Sequence, residues 1–297
     1  MFWHRLGSMI VLLGLLALSM WKSQYGKYSF LIIGTFIVVF LTKELGEMLK
    51  NIDITIRTKS VMWVNFLLFF PFAYHQIFYM RNTDLEKYIA TFYCCFIPLV
   101  ILYFSIMTVK SVNSPEKLKN AIGSFFTVFF VTLPVCMITL IFSYGLGRDF
   151  NIIFLYFVMV TKSGDIGAYI VGSLSNKILP GGNHKLIPSV SPGKSVEGIV
   201  GGVLFSVGVS YLINHFFQIF HKNSISFVIA FGIILYFTGM YGDLVESAIK
   251  RTCKVKDSGK TIPGIGGIYD LVDSLFLSAP FMLALLLLSK SYLWMIY

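Results

Sequence analysis

Charge is what this sequence has least of. Only 13% of its 297 residues are Asp, Glu, Lys or Arg and 56% are hydrophobic, a charge share about half that of a soluble globular domain. Long polar stretches are also missing. The longest segments between apolar runs are 174–196 and 243–271, which leaves no room for a separate soluble domain. No low-complexity tract and no sequence repeat is evident, which argues against a disordered tail or a repeat array. The four cysteines, Cys94, Cys95, Cys136 and Cys253, have neither metal nor disulfide spacing. The first three lie in apolar runs and read as small packing residues. Acidic residues are scarce, 14 against 24 Lys and Arg, for a net charge of +10. In so apolar a chain this excess is the positive-inside bias of membrane proteins, so no nucleic-acid partner is expected.

What is present is lipid-compatible sequence. Nine apolar runs, roughly 6–21, 28–48, 60–80, 88–109, 120–144, 150–173, 197–217, 224–242 and 272–294, approach the roughly 20 residues that a spanning helix requires. The expected fold class is all-α, a polytopic integral membrane protein with eight or nine transmembrane helices. The first run is short, but no A-x-A-like site follows it, so an uncleaved helix is expected. With the N-terminus on one side, fifteen Lys and Arg fall on that side and seven on the other. The richer side is expected to be cytoplasmic. The chain divides into an N-terminal helical bundle, 1–145, and a C-terminal region, 146–297, that holds the unusual polar residues.

Those residues gather in three places. The eighth run ends in YGDLVESAIKR, where Asp243, Glu246 and Lys250 are spaced i, i+3 and i+7 on one helix face. Glu246 and Lys250 are also an i,i+4 pair, the spacing of a plain salt bridge. The ninth run is entered through IYDLVDSLF, with Asp270 and Asp273 at i, i+3. One aspartate serves as an N-terminal cap. Two on one face beside a glycine-rich turn fit a cation site better, since magnesium is usually held by one or two carboxylates completed by substrate phosphates. The sixth run contains VTKSGDIGAYIVG, with Lys162 and Asp165 inside an apolar segment. Intramembrane ionisable residues are costly and face a polar cavity or a partner. Gly164, Gly167 and Gly172 serve helix packing.

The loop GGNHKLIPSVSPGKSVEG, 181–198, contains PGKS, but a phosphate loop needs a glycine where Pro188 stands and a strand before it. That reading fails. Ser191 and Pro192 followed by Glu197 are consistent with a helix start, and the lysines of the loop point to anions. In KDSGKTIPGIGGIYDLVDS, 256–274, glycines let backbone N–H groups approach an anion. Lysines neutralise phosphate and aspartates hold a divalent cation. The combination predicts a phosphate-handling site at the cytoplasmic membrane surface.

Residues 243–274 resemble the signature of phosphatidate cytidylyltransferases (CDP-diglyceride synthetases), roughly S-x-x-K-R-x4-K-D-x-G-x2-hydrophobic-P-G-H-G-G-x2-D-R-x-D. Ser247, Lys250, Arg251, Lys256, Asp257, Gly259, Pro263, Gly264, Gly266, Gly267, Asp270 and Asp273 fall on it in register. Upstream, KSGDIGAYIVG and HKLIPSVSPGKSVEG are similar to two further segments of that family, so the resemblance covers about 150–280. Three positions depart from the pattern: Ile265 replaces a histidine, Leu271 an arginine, and Val196 a common tryptophan.

The resemblance implies a reaction, CTP plus phosphatidate giving CDP-diacylglycerol and pyrophosphate, with Mg2+ as cofactor. It implies Asp243, Asp270 and Asp273 as metal ligands, with Asp257 beside them. Lys250, Arg251 and Lys256 would neutralise triphosphate or pyrophosphate. Lys185, Ser191 and Lys194 would contact phosphate or headgroup, with Asp165, Ser247, Gly266 and Gly267 completing the substrate site. A homodimer in a bacterial inner membrane, its site facing the cytoplasm, is the further implication. The alternatives are a CTP-dependent polyprenol kinase of the dolichol type, a transporter using Lys162 and Asp165 as an ion-coupling pair, and a degenerate scaffold.

Overall fold

The computed structural model describes residues 14–21, 24–79, 85–111, 114–145, 151–220, 225–263 and 266–288. Eight long helices carry almost all of them: α1 (Gln24–Lys50), α2 (Thr58–Tyr79), α3 (Leu85–Val109), α4 (Pro115–Tyr144), α5 (Ile152–Ile178), α6 (Val196–Phe217), α7 (Ile225–Thr252) and α8 (Tyr269–Leu288). Helix is the expected outcome for apolar runs of this length, because it satisfies every backbone polar group within the segment. Seven of the eight, all but α3, are long and apolar enough among the described residues to cross a membrane. The protein is accordingly an integral membrane protein. Of the nine apolar runs, the first lies half outside the described residues, and its described part is helical over 14–20. The fourth forms α3, whose described apolar part, Pro98–Val109, is shorter than a span.

One departure from helix lies between α5 and α6. There β1 (Lys185–Ile187) and β2 (Ser191–Ser195) form an antiparallel hairpin, with Lys185 opposite Ser195 and Ile187 opposite Ser191. SPGKS is thus a strand and not a phosphate loop, and the helix after it starts later than Ser191. Ser195 is the N-cap of α6, its side chain accepting from the Gly198 N–H.

The described chain falls into two compact units. One runs to Asn151 and includes Lys250–Leu271; the other comprises Ile152–Ile249 and the residues from Val272 on. In the first, α1, α2 and α4 pack together. A single buried asparagine ties all three: Asn65 Nδ2 donates to Thr42 Oγ1 (2.8 Å), and Thr132 Oγ1 donates to Asn65 Oδ1 (2.9 Å). In hydrocarbon such interhelical bonds contribute about 0.6 kcal/mol each. Cys253, in the same unit, is free and buried, and burial pushes its thiol above the usual value.

In the second unit α5 and α6 meet along a glycine seam. A Cβ on Gly167 would lie 2.7 Å from the Gly201 carbonyl oxygen, and one on Gly201 would lie 2.8 Å from that of Gly167. The two backbones therefore touch, as the glycine spacing on α5 predicts. Tyr156, Ser210 and the Val228 carbonyl form a buried hydrogen-bonded chain across α5, α6 and α7.

Candidate active site

The unusual polar residues form two ion-paired groups, one in each unit.

In the second unit the group draws on α5, α7, α8 and the hairpin. Lys162 Nζ donates to Ser274 Oγ (2.6 Å), and it lies 3.5 Å from Asp273 Oδ1 and 3.8 Å from Asp165 Oδ2. Asp273 Oδ1 also accepts from the Ser274 N–H (2.7 Å). Lys194 reaches from β2 to α7, donating to the Met240 carbonyl oxygen (2.7 Å) and standing 3.6 Å from Asp243 Oδ2. Asp165 and Asp243 interact electrostatically with each other, with Asp273 and with both lysines. Three carboxylates thus face two ammonium groups.

Glycine makes this closeness possible. A Cβ on Gly242 would lie 2.5 Å from the Asp273 carbonyl oxygen, and one on Gly239 would lie 2.9 Å from Thr161 Cγ2. Hence α7 can meet α8 and α5 only where it lacks side chains. The hairpin is held in turn by Glu197, whose carboxylate accepts from the His184 N–H (3.1 Å) and lies 2.6 Å from His184 Nδ1.

The second group lies in the first unit. Lys250 Nζ donates to Asp270 Oδ1 (2.8 Å), and both side chains are largely buried. Asp270 Oδ2 accepts from the Gly267 N–H (2.7 Å), the Ser258 hydroxyl (3.0 Å) and the Ser258 N–H (3.2 Å). The glycine-rich turn closes on itself. Ile262 and Gly266 exchange backbone hydrogen bonds of 2.9 and 3.1 Å, and Gly266 has φ +132, a conformation that L side chains rarely adopt. The Gly266 and Gly267 amides, expected from the sequence to face an anion, therefore donate within the protein. Arg251, Lys256 and Asp257 are exposed, as is Lys185 on β1, while Ser247 and Ser191 are half-buried. Ile265 lies outside the described residues; Leu271 is half-buried on α8.

Glu44 is the residue the sequence reading passed over. It sits inside the 28–48 run on α1, is 2% exposed, and accepts hydrogen bonds from Ser258, Thr261, Ile268 and Tyr269. A carboxylate within an apolar run is itself the signal that could have found it.

The donor set of the second unit suits a hard cation. Asp243 Oδ1 is buried without a hydrogen-bond partner, and the surrounding carboxylates outnumber the lysines. Among the described residues no three His, Cys, Asp or Glu side chains form a ready-made ligand group. Magnesium does not require one, since it keeps waters and takes one or two carboxylates with substrate phosphates.

The family model for the cytidylyltransferase family matches residues 3–289. The chain belongs to the cytidylyltransferase family. Membership extends to the N-terminal helices, which carry no motif legible by eye. Among curated relatives, a phosphatidate cytidylyltransferase of Staphylococcus haemolyticus is 43% identical over 133 residues, 45% of this chain and 48% of its own. One from Bacillus subtilis is 37% identical over 172 residues, 56% of this chain and 60% of its own. The uncharacterised Escherichia coli protein YnbB is 40% identical over 126 residues, 42% of this chain and 39% of its own. The chain spans about half the length of the curated relatives it matches.

Proposed function

We propose that this family member transfers the cytidylyl group of CTP to phosphatidate, giving CDP-diacylglycerol and pyrophosphate. The observation that carries the reading is the group formed by Lys162, Asp165, Lys194, Asp243 and Asp273, charged residues brought together in an apolar chain whose signature segment falls in register with these enzymes. A phosphate-monoester oxygen of phosphatidate attacks the α-phosphorus of CTP. The bond from that phosphorus to the bridging oxygen breaks, and pyrophosphate leaves with the electron pair. The nucleophile is already anionic, so no strong base is needed. Charge neutralisation and alignment supply the acceleration.

Asp243 and Asp273 would hold magnesium, which when bound offsets the phosphate charge. Lys194 and Lys162 fix those carboxylates. Lys250, Arg251 and Lys256 bring the positive charge that a triphosphate requires, and Asp270 orients Lys250. The excess of basic residues supports a cytoplasmic site in a cell membrane, the compartment that contains CTP.

The test uses purified protein in mixed micelles with phosphatidate, magnesium and α-labelled CTP. Label should enter chloroform-soluble liponucleotide together with pyrophosphate, only with magnesium, and Asp243→Asn should lower the rate by at least about 100-fold. Folded protein that yields no liponucleotide, but transfers label from γ-labelled CTP to a polyprenol, would overturn the reading in favour of a lipid kinase.

A further inference from the structure

Glu44 is costly where it stands. A carboxylate buried in an apolar span loses its hydration and persists only if its oxygens are fully engaged. They are engaged here by one short segment of chain. Oε1 accepts from Thr261 Oγ1 (2.5 Å) and the Ile268 N–H (2.8 Å); Oε2 accepts from Ser258 Oγ (3.1 Å) and the Tyr269 N–H (3.1 Å). Two of these donors are backbone groups at the start of α8, which lack intrahelical partners. The other two are hydroxyls of the preceding loop.

The loop is shaped to close over this carboxylate. A Cβ on Gly259 would come within 2.7 Å of Glu44 Oε1, and one on Gly267 within 2.5 Å of Oε2. Capping alone does not require such wrapping, since a serine or asparagine next to the helix start would serve.

The contact also leads onward. The Ser258 hydroxyl lies within hydrogen-bond distance of Glu44 Oε2 and of Asp270 Oδ2, while Asp270 Oδ1 holds Lys250. A hydroxyl has one proton, so Ser258 donates to one carboxylate at a time. The place of Glu44 thereby sets the place of Ser258, Asp270 and Lys250.

We propose that Glu44 is a positioning residue, a carboxylate from the N-terminal half of the chain that holds residues 256–263 and 266–268 in the shape in which Lys250 and Asp270 meet the phosphates of the nucleotide. The role in nucleotide binding rests on the proposed cytidylyl transfer; the holding of the loop does not.

The test compares wild type, Glu44→Gln and, as a control, Glu47→Gln, which changes an exposed residue on the same helix. Glutamine keeps the size but turns an acceptor oxygen into an amide donor facing other donors. The expected result is a KM for CTP raised about tenfold or more with the KM for phosphatidate unchanged. Trypsin should also cleave faster after Lys256 and Lys260, while Glu47→Gln matches wild type. A general loss of stability would instead lower the active fraction, leaving both KM values and the loop cleavage as they are; that result overturns the proposal. If wild type forms no liponucleotide, the reaction assignment falls. The cleavage rates then decide alone: faster cleavage in Glu44→Gln upholds the clamp and equal cleavage overturns it. Should Glu44→Gln not yield monodisperse protein, Thr261→Val, which removes one of the four hydrogen bonds, is measured in the same way.

Discussion

At the scale of single residues, the Lys250–Asp270 pair combines burial with full engagement. Breaking one side of a buried pair leaves an uncompensated charge and costs more than removing both. Lys250→Met should therefore destabilise the protein by about 3 kcal/mol, read as a fall in thermal unfolding temperature in detergent. The double variant Lys250→Met, Asp270→Asn should recover part of that fall. If the single and double variants unfold together, the pair is not what holds the loop. Lys250 and Asp270 were both legible in the sequence, as members of a register of twelve matched positions. Their pairing was not. Lys250 has Glu246 one helical turn away, and nothing in the spacing says that it reaches an aspartate twenty residues on.

At the scale of elements, close approach of helices governs the site. The glycines of α5 were readable as a packing seam, and Gly167 does contact the backbone of α6. Gly242 could not be ranked in the same way, because its importance comes from a neighbour distant in the sequence. It precedes Asp243, and a Cβ there would strike the Asp273 carbonyl oxygen. Gly242→Ala should destabilise by about 1–3 kcal/mol and impair cytidylyl transfer beyond that loss of fold. Gly208→Ala, whose Cβ would meet nothing within 4 Å, should leave both thermal stability and transfer unchanged. The hairpin of β1 and β2 belongs to this scale too. Its strands are three and five residues long, too short for a clear alternating pattern, and its position depends on Glu197 of α6 gripping His184 just before β1 and on Lys194 of β2 reaching α7.

At the scale of the whole molecule, the apolar helices and the uneven placement of lysine and arginine lead to a prediction of sidedness. In a background lacking the four native cysteines, Gly193→Cys and His215→Cys place reporters before and at the end of the α6 span, both at exposed positions. A membrane-impermeant maleimide applied to intact cells should label His215→Cys and spare Gly193→Cys until the membrane is permeabilised. The reverse pattern would put the hairpin outside and remove its access to CTP.

Hydropathy is a local, additive property. The sequence alone was therefore enough to establish that this chain lives in a membrane and that it is almost wholly helical. The signature, too, is a matter of spacing along the chain. Which carboxylate meets which cation depends on the faces that distant helices turn toward each other, and helical periodicity does not record that. Only the tertiary structure joined Lys194 to Asp243 and Lys162 to Asp273. Only there did Glu44 come out as the anchor of the signature loop, because the energy that keeps a carboxylate buried in α1 comes from donors more than two hundred residues away.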